Sequence, residues 1–273
     1  MKEHPYDTSR DPGREKVLPS PPPEHTPQPL WQPFPGFSFL FDNPGQSLKK
    51  EVGSDRIHVD ENALRTINLY SKISDAMETI KPSELAKRFD FFALPSSTYH
   101  VTVWDGVNRG NRHSLSDKGK MIFHQCFSQG IASAVKDWPP FGSLGYTRRF
   151  EGIGPVRLQY LGLQVRGNTV LVVELRPDLD DKDSVKALKE IQERRASLDG
   201  DFATYGKPEN DTLIPHVAVG YFADTTKARN AMNQCMTDWM SVFDSKVRGS
   251  QIEFSTIGLY GFTDMVTYFK PSV

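Results

Sequence analysis

The chain has 273 residues, with 33 Lys and Arg against 34 Asp and Glu and a hydrophobic fraction of 37%. That composition can bury a substantial core, which excludes a wholly disordered protein. The near-zero net charge leaves no field for gripping a long nucleic-acid duplex.

Eleven of the twenty prolines fall before residue 45, at a spacing that forbids helix and discourages internal strand. Residues 1–30 are therefore expected to be a Pro-rich, disordered tail, and 31–273 a single domain. From Trp31 the segment changes character: Phe34, Phe37, Phe39, Leu40 and Phe41 carry too much apolar surface for a free linker. Leu64, Ile67, Tyr70, Ile73, Met77 and Ile80 recur at helical spacing, and Pro82 starts a second helix with Leu85 and Phe89. Tyr99 to Trp104 has the β-branched and aromatic content of a strand, expected to end in a turn at Asp105-Gly106.

Ser116-Asp117 caps the next expected helix, whose face carries Met121, Ile122, Phe127, Ile131 and Val135, before Trp138-Pro139-Pro140 stops it. Val156 to Arg176 alternates as a hairpin turning at Gly167-Asn168. Asp180 to Asp183 reads as the acidic start of a helix with Val185, Leu188 and Ile191, and Glu190 to Arg195 as its solvated face. Then the order repeats: a strand from His216 to Phe222, a helix with Ala228, Met232, Cys235, Trp239 and Val242, and a second hairpin from Ile252 to Phe269. Strand, helix, hairpin occurs twice, which predicts two similar lobes.

Alternate side chains of a strand share a face, so His100 and Thr102 point one way, as do His216 and Ala218. If the lobes pack about an approximate twofold axis, the two imidazoles meet across a cleft. With unperturbed pKa values near ~6.5, one can take a proton while the other gives one. In-line attack at phosphorus needs such a pair: a base for water and an acid for the departing oxygen. Thr102 can donate its hydroxyl to a non-bridging phosphate oxygen.

The His100-Val101-Thr102 motif, the second His-x-x-Val strand at His216 and the duplicated element order resemble the 2H (two-histidine) phosphoesterase superfamily. The run Ser96 to Val107 is similar to a branch of it with Asp-Gly-Val after the first motif. The resemblance implies an α+β, bilobal fold, with two antiparallel sheets facing a central cleft and helices outside. It implies metal-independent opening of a cyclic phosphate, 2′,3′-cyclic or related, with His100 and His216 in proton transfer and Thr102 as a phosphate donor. Ala218 stands where the family has Thr or Ser, so one hydroxyl is absent, and Tyr221, Thr212 or one of Arg148 and Arg149 is left to supply that hydrogen bond.

Arg148 and Arg149 are candidates for an anion clamp, since guanidinium forks match phosphate oxygens. Trp104 and Tyr221 are candidates for base stacking. His4, His25, His58, His113 and His124 lack partners at metal-ligand spacing, so no metal and no cofactor is expected. The expected partner is a nucleotide or RNA-end phosphate. Two rivals remain at this point: a nucleotide or RNA-end binding protein with little catalysis because of Ala218, and a Pro-rich arm that recruits a partner. RNA ends, mononucleotides, ADP-ribose derivatives and 2′-5′ oligonucleotides all stay open as substrates.

Two cysteines, Cys126 and Cys235, without any Cys-x-x-Cys pair, exclude a disulfide framework and a zinc ribbon. No uncharged apolar run approaches the ~18 residues of a membrane span, and the N-terminus lacks the apolar core of a signal peptide. A cytoplasmic monomer is expected.

Overall fold

The structure, a computed structural model, describes residues 14–20, 27–44, 47–51, 54–58, 67–128 and 149–269. Its architecture is α+β, built from antiparallel sheets and helices. One sheet has five strands: β6 (Phe91–Ala93), β8 (Val156–Arg166), β9 (Val170–Pro177), β10 (His216–Phe222) and β11 (Gln251–Phe254), in the order β11-β8-β9-β10-β6. The other has six: β3 (Gly36–Phe41), β4 (Ser47–Glu51), β5 (Ser54–His58), β7 (Thr102–Asn108), β12 (Ile257–Phe262) and β13 (Tyr268–Phe269), in the order β4-β5-β13-β12-β3-β7.

The helices follow the apolar periodicity. α1 (Asn68–Thr79) buries Leu69, Tyr70, Ile73, Ala76 and Met77, and α2 (Pro82–Phe89) buries Leu85, Ala86 and Phe89 behind a proline in its first turn. α3 spans Asp117–Ser128, with Phe123 buried and Met121 exposed, so Met121 does not belong to the core face expected for it. Residues 129–148 lie outside the described residues, and with them the expected end of that helix and Arg148. α4 (Lys182–Ala203) starts at Asp181, whose carboxylate accepts from the backbone N–H groups of Asp183 and Ser184 at 3.1 and 3.2 Å. Arg195 departs from the solvated face expected of it: it is buried and bonded to Gln192 and to the Asp211 carbonyl. α5 (Thr225–Val247) is capped in the same way by Asp224, which accepts from Lys227 N–H.

The β8–β9 hairpin turns at Gly167-Asn168, both with φ of 55°, the left-handed pair that matches strand twist. The second expected hairpin is different. β11 pairs with β8 in the five-stranded sheet, and the chain then crosses at Ser255-Thr256 so that β12 pairs with β3 in the other. The crossing is pinned by Asp42, which receives Thr256 Oγ1 at 2.7 Å, and by Phe41 stacked on Phe254 with ring centroids 4.6 Å apart.

The two halves of the sequence are therefore interleaved. The histidine strand of the first half, β7, sits in the sheet with β12 and β13, whereas that of the second half, β10, sits with β8 and β9. Nor does β7 stop at Asp105-Gly106: it continues to Asn108. Gly106 is there for close approach, since a Cβ at that position would lie 2.2 Å from the Phe37 carbonyl oxygen.

The Pro-rich segment also departs from a free tail in its described parts. β1 (Val17–Pro19) pairs antiparallel with β2 (Pro29–Trp31), Val17 is fully buried, and Gln32 N–H bonds the Lys16 carbonyl at 2.9 Å. From Gly36 to Phe41 every residue of β3 is buried, as its aromatic content predicts. Among the described residues no helix is long and apolar enough to cross a membrane.

Candidate active site

The two histidine strands touch where the sheets meet. β6 covers only Gly220 to Phe222 of β10, so the edge at Val217 is open, and Val101 occupies it in an antiparallel bridge. That register sets Thr102 opposite His216 and His100 opposite Ala218. Two residues per motif face the same cleft, related by an approximate twofold axis through the Val101–Val217 pair.

A bulge in each strand extends the symmetry. In β7 the pairing with β3 steps from Leu40↔Thr102 to Phe39↔Trp104, leaving Val103 extra; in β10 the pairing with β9 steps from Ala218↔Val172 to Gly220↔Leu171, leaving Val219 extra. An extra residue shifts alternation by one. The next side chain on the cleft face is thus three positions on: Asp105 after Thr102, and Tyr221 after Ala218. His100, Thr102, Asp105, His216, Ala218 and Tyr221 all line one cleft of about 460 Å³.

Both imidazoles are held by one local device. His100 Nδ1 lies 2.7 Å from the Thr98 carbonyl and His216 Nδ1 lies 2.8 Å from the Ile214 carbonyl, each two residues upstream. A carbonyl only accepts, so Nδ1 carries the proton, and Nε2 of each neutral ring keeps its lone pair. Arg166 Nη1 also lies 3.0 Å from His216 Nδ1. One ring nitrogen cannot donate to a carbonyl and accept from a guanidinium together. The carbonyl bond recurs at His100, and Arg166 is already anchored on Glu174 through Nε at 3.2 Å and Nη2 at 2.5 Å, so Arg166 acts on His216 as a nearby charge.

The surroundings set the two rings apart. Burial pushes His100 down to about 4, resisted by the Thr98 carbonyl and reinforced by the charge of His216, so the two rings share one electrostatic neighbourhood. The Tyr268 ring packs against His100, centroids 4.6 Å apart. His216 is also lowered, first by burial and then by Arg166, with the Ile214 carbonyl and Glu174 opposing the fall. An anion supports imidazolium at His216; among the described residues none does so at His100.

Trp104 is not a stacking platform. It is fully buried, its Nε1–H donates to Asp199 Oδ1 at 2.9 Å, and Lys207 lies over its ring while bridging to the same carboxylate at 3.2 Å. The one-residue shift at Val103 turns it from the cleft into the core. Arg149 is no clamp on this cleft either: it pairs with Asp201 at 3.0 Å and bonds Ser197, away from the lining residues. Arg148 lies outside the described residues, and Thr212 does not line the cleft.

Several groups that line the cleft or stand against its histidines carry no signal in the sequence. Asp105 reads as a turn residue unless the bulge is known. Lys16 belongs to the segment expected to be a tail, and Tyr268 to the expected second hairpin, in which no pattern marks it as a cleft residue. Arg166 and Glu174 lie on neighbouring strands facing His216, a proximity no spacing rule reveals. Burial raises the Asp105 carboxyl, while Lys207, Ser38, Lys16 and Asn108 hold it down. Burial likewise raises the Tyr221 and Tyr268 phenols. Among the described residues no group of three or more His, Cys, Asp or Glu side chains is placed to hold a metal ion.

No protein-family model matches the sequence, and no curated protein matches it. Among solved structures, the chain is similar to a conserved protein of unknown function from Agrobacterium tumefaciens strain C58, with a TM-score of 0.51 and 14% identity over 100% of this chain and 94% of that one. Two structures of Usb1 from Kluyveromyces marxianus, the second with uridine monophosphate, match more remotely. Their TM-scores are 0.38 and 0.37, at 10% and 12% identity, over 86% of this chain and 97% and 98% of theirs. At such identities the Agrobacterium likeness is one of fold, and the reading of function rests on the residues in the cleft.

Proposed function

We propose that the chain is a metal-independent phosphodiesterase that opens a cyclic phosphate of a nucleotide or RNA end. The observation that carries the proposal is the placing of two imidazoles, each with Nδ1 tied to a carbonyl, in one cleft beside the Thr102 hydroxyl. His100, whose ring burial keeps neutral, takes the proton from water through Nε2 as the water oxygen attacks phosphorus. His216, with Glu174 behind it, gives a proton through Nε2 to the ribose oxygen as its bond to phosphorus breaks. The products are a ring-opened phosphomonoester and one regenerated pair with the proton moved from His216 to His100, returned through solvent. Thr102 donates to the non-bridging oxygen on which charge accumulates.

The test is turnover of 2′,3′-cyclic nucleotides by the full chain in EDTA. His100→Ala and His216→Ala are each expected to lose ~10²–10⁴-fold while staying folded. Unchanged turnover in either variant removes that histidine from the chemistry. One observation favours a second reading: Ala218 has no hydroxyl where the twofold partner has Thr102, which suits a protein that binds a phosphate end and turns it over poorly. Saturable binding of a nucleoside monophosphate with no hydrolysis after long incubation selects that reading.

A further inference from the structure

Proton transfer uses the two histidines; the same cleft also holds a group of polar and aromatic side chains without an assigned role. Three elements contribute to this group: Asp105 from β7, Tyr221 from β10, and Lys16 from the turn that precedes β1, with Asp105 close enough to act on the charge of both others. The Lys16 ammonium lies 4.9 Å from the Tyr221 ring centroid and 5.6 Å from that of Phe34. Among the described residues it forms no ion pair within 4.0 Å, and burial lowers its pKa, opposed by the charges of Asp105 and Glu15 from farther off. Its N–H donors have the Phe34 and Tyr221 rings beside them and no acceptor among the described residues.

Asp105 complements it. Its Oδ1 accepts from Ser38 Oγ and Asn108 Nδ2, both at 3.2 Å, and its Oδ2 accepts from Asn108 Nδ2 at 3.3 Å. A carboxylate has room for about four bonds, so Oδ2 retains capacity for one further donor. The neighbouring amides are already committed: Asn108 Oδ1 accepts from Gly110 N–H at 2.8 Å, and Asn111 Nδ2 donates to the Gly106 carbonyl at 2.8 Å. Among the charged groups that line the cleft, Lys16 offers donors and Asp105 an acceptor site, with the Glu15 carboxylate beside Lys16 in sequence.

The Lys16–Asp105 pair carries no net charge of its own, and Glu15 adds a second carboxylate to the same cleft. A second phosphate would meet Asp105 as well as Lys16, so the pair does not suit a dianion. It suits a flat group that presents an acceptor beside a donor, with Phe34 and Phe262 as apolar walls. Nucleobases have that edge. We propose that this group of side chains is a nucleobase subsite, in which Lys16 donates to a ring carbonyl or ring nitrogen and Asp105 accepts from the adjoining N–H. The proposal rests on the histidine centre being the phosphate site, and it makes the N-terminal ribbon part of substrate recognition.

Calorimetric titration of the full chain with guanosine and uridine 3′-monophosphates, and with the base-free methyl riboside 3-phosphate, tests it. The wild-type chain is expected to bind the nucleotides at least ~10-fold more tightly than the riboside phosphate, a difference of ~1.4 kcal/mol. Lys16→Met keeps the apolar stem and should bring the nucleotides to within ~3-fold of the riboside phosphate while leaving the latter unchanged. Asp105→Asn should act in the same direction. Equal weakening of all three ligands by Lys16→Met would make Lys16 a phosphate contact and overturn the subsite, as would no weakening at all. If the wild-type chain binds none of the three, the phosphate centre itself is refuted, an outcome distinct from a chain that binds all three alike.

Discussion

The strands that carry His100 and His216 share a backbone plan and differ in the side chains at its third and sixth positions. Each has a histidine tied to the carbonyl two residues upstream, a bulge at the fourth position, and a cleft-facing residue at the sixth. On β7 the face reads His, Thr, Asp; on β10 it reads His, Ala, Tyr. The β7 side has the hydroxyl and, among the described residues, no Arg–Glu pair against its imidazole. The β10 side lacks the hydroxyl and has the Arg166–Glu174 pair against its ring. A symmetric scaffold thus carries asymmetric side chains, and on the proposed reaction that difference favours His100 as base and His216 as acid.

The largest effect expected tests that assignment directly. On a phosphodiester with a good leaving group, such as a p-nitrophenyl ester, an acid is dispensable but a base is not. His216→Ala should keep turnover of that ester within ~10-fold of wild type, whereas His100→Ala should lose ~10²–10⁴-fold on it. The reverse order would exchange the roles. Next comes the hydroxyl: Thr102→Ala is expected to cost ~10²-fold in kcat with little change in KM, as for a lost transition-state donor. Ala218→Thr, the mirror substitution, should raise kcat by up to ~10-fold if the β10 side lacks only that donor; a loss would mean that the Ala218 space is needed for substrate.

The pH profile sharpens the comparison further. The rising limb of kcat/KM should follow His100 near its lowered value of about 4, and the falling limb should follow His216, which lies below its ordinary ~6.5. The optimum is therefore acid of neutral. Glu174→Gln removes the anion that supports imidazolium, so the falling limb should move to lower pH, with a few-fold loss at pH 7. An unmoved limb would separate Glu174 from the acid.

Stability carries the same signature. Because the folded chain holds His100 near about 4 and the unfolded chain near ~6.5, the unfolded state binds more protons between these values. Stability is full above pH ~6.5 and is lost as pH falls through that window, by on the order of 3 kcal/mol for this group. Urea melts at pH 7 and pH 5 should show the loss, and His100→Gln should flatten the slope.

How far the cleft was legible in the chain depended on the range of the interaction. The faces of α1 and α2, the acid-capped start of α4, the Gly167-Asn168 turn and the span of β10 are local, set by periodicity and by backbone preference within a few residues. His100, Thr102, His216 and Ala218 could be paired in advance because a short pattern in a repeated element order identifies them. Trp104 was misplaced by a single residue of bulge, which exchanges cleft for core and leaves no mark in composition. Arg149 was drawn to an anion clamp by its charge, yet its partner is Asp201 on α4.

The amino-acid order by itself determined the α+β class, most of the elements and the two imidazoles, since each depends on neighbours along the chain. Tertiary structure alone decided that the sequence halves interleave, that the Val101–Val217 bridge brings the motifs together, and that Lys16, Asp105, Arg166 and Glu174 join them. The reason is physical: strand pairing, bulge position and the burial that shifts a proton affinity are set by contacts between residues far apart in the chain, and these exist only once the sheets have formed.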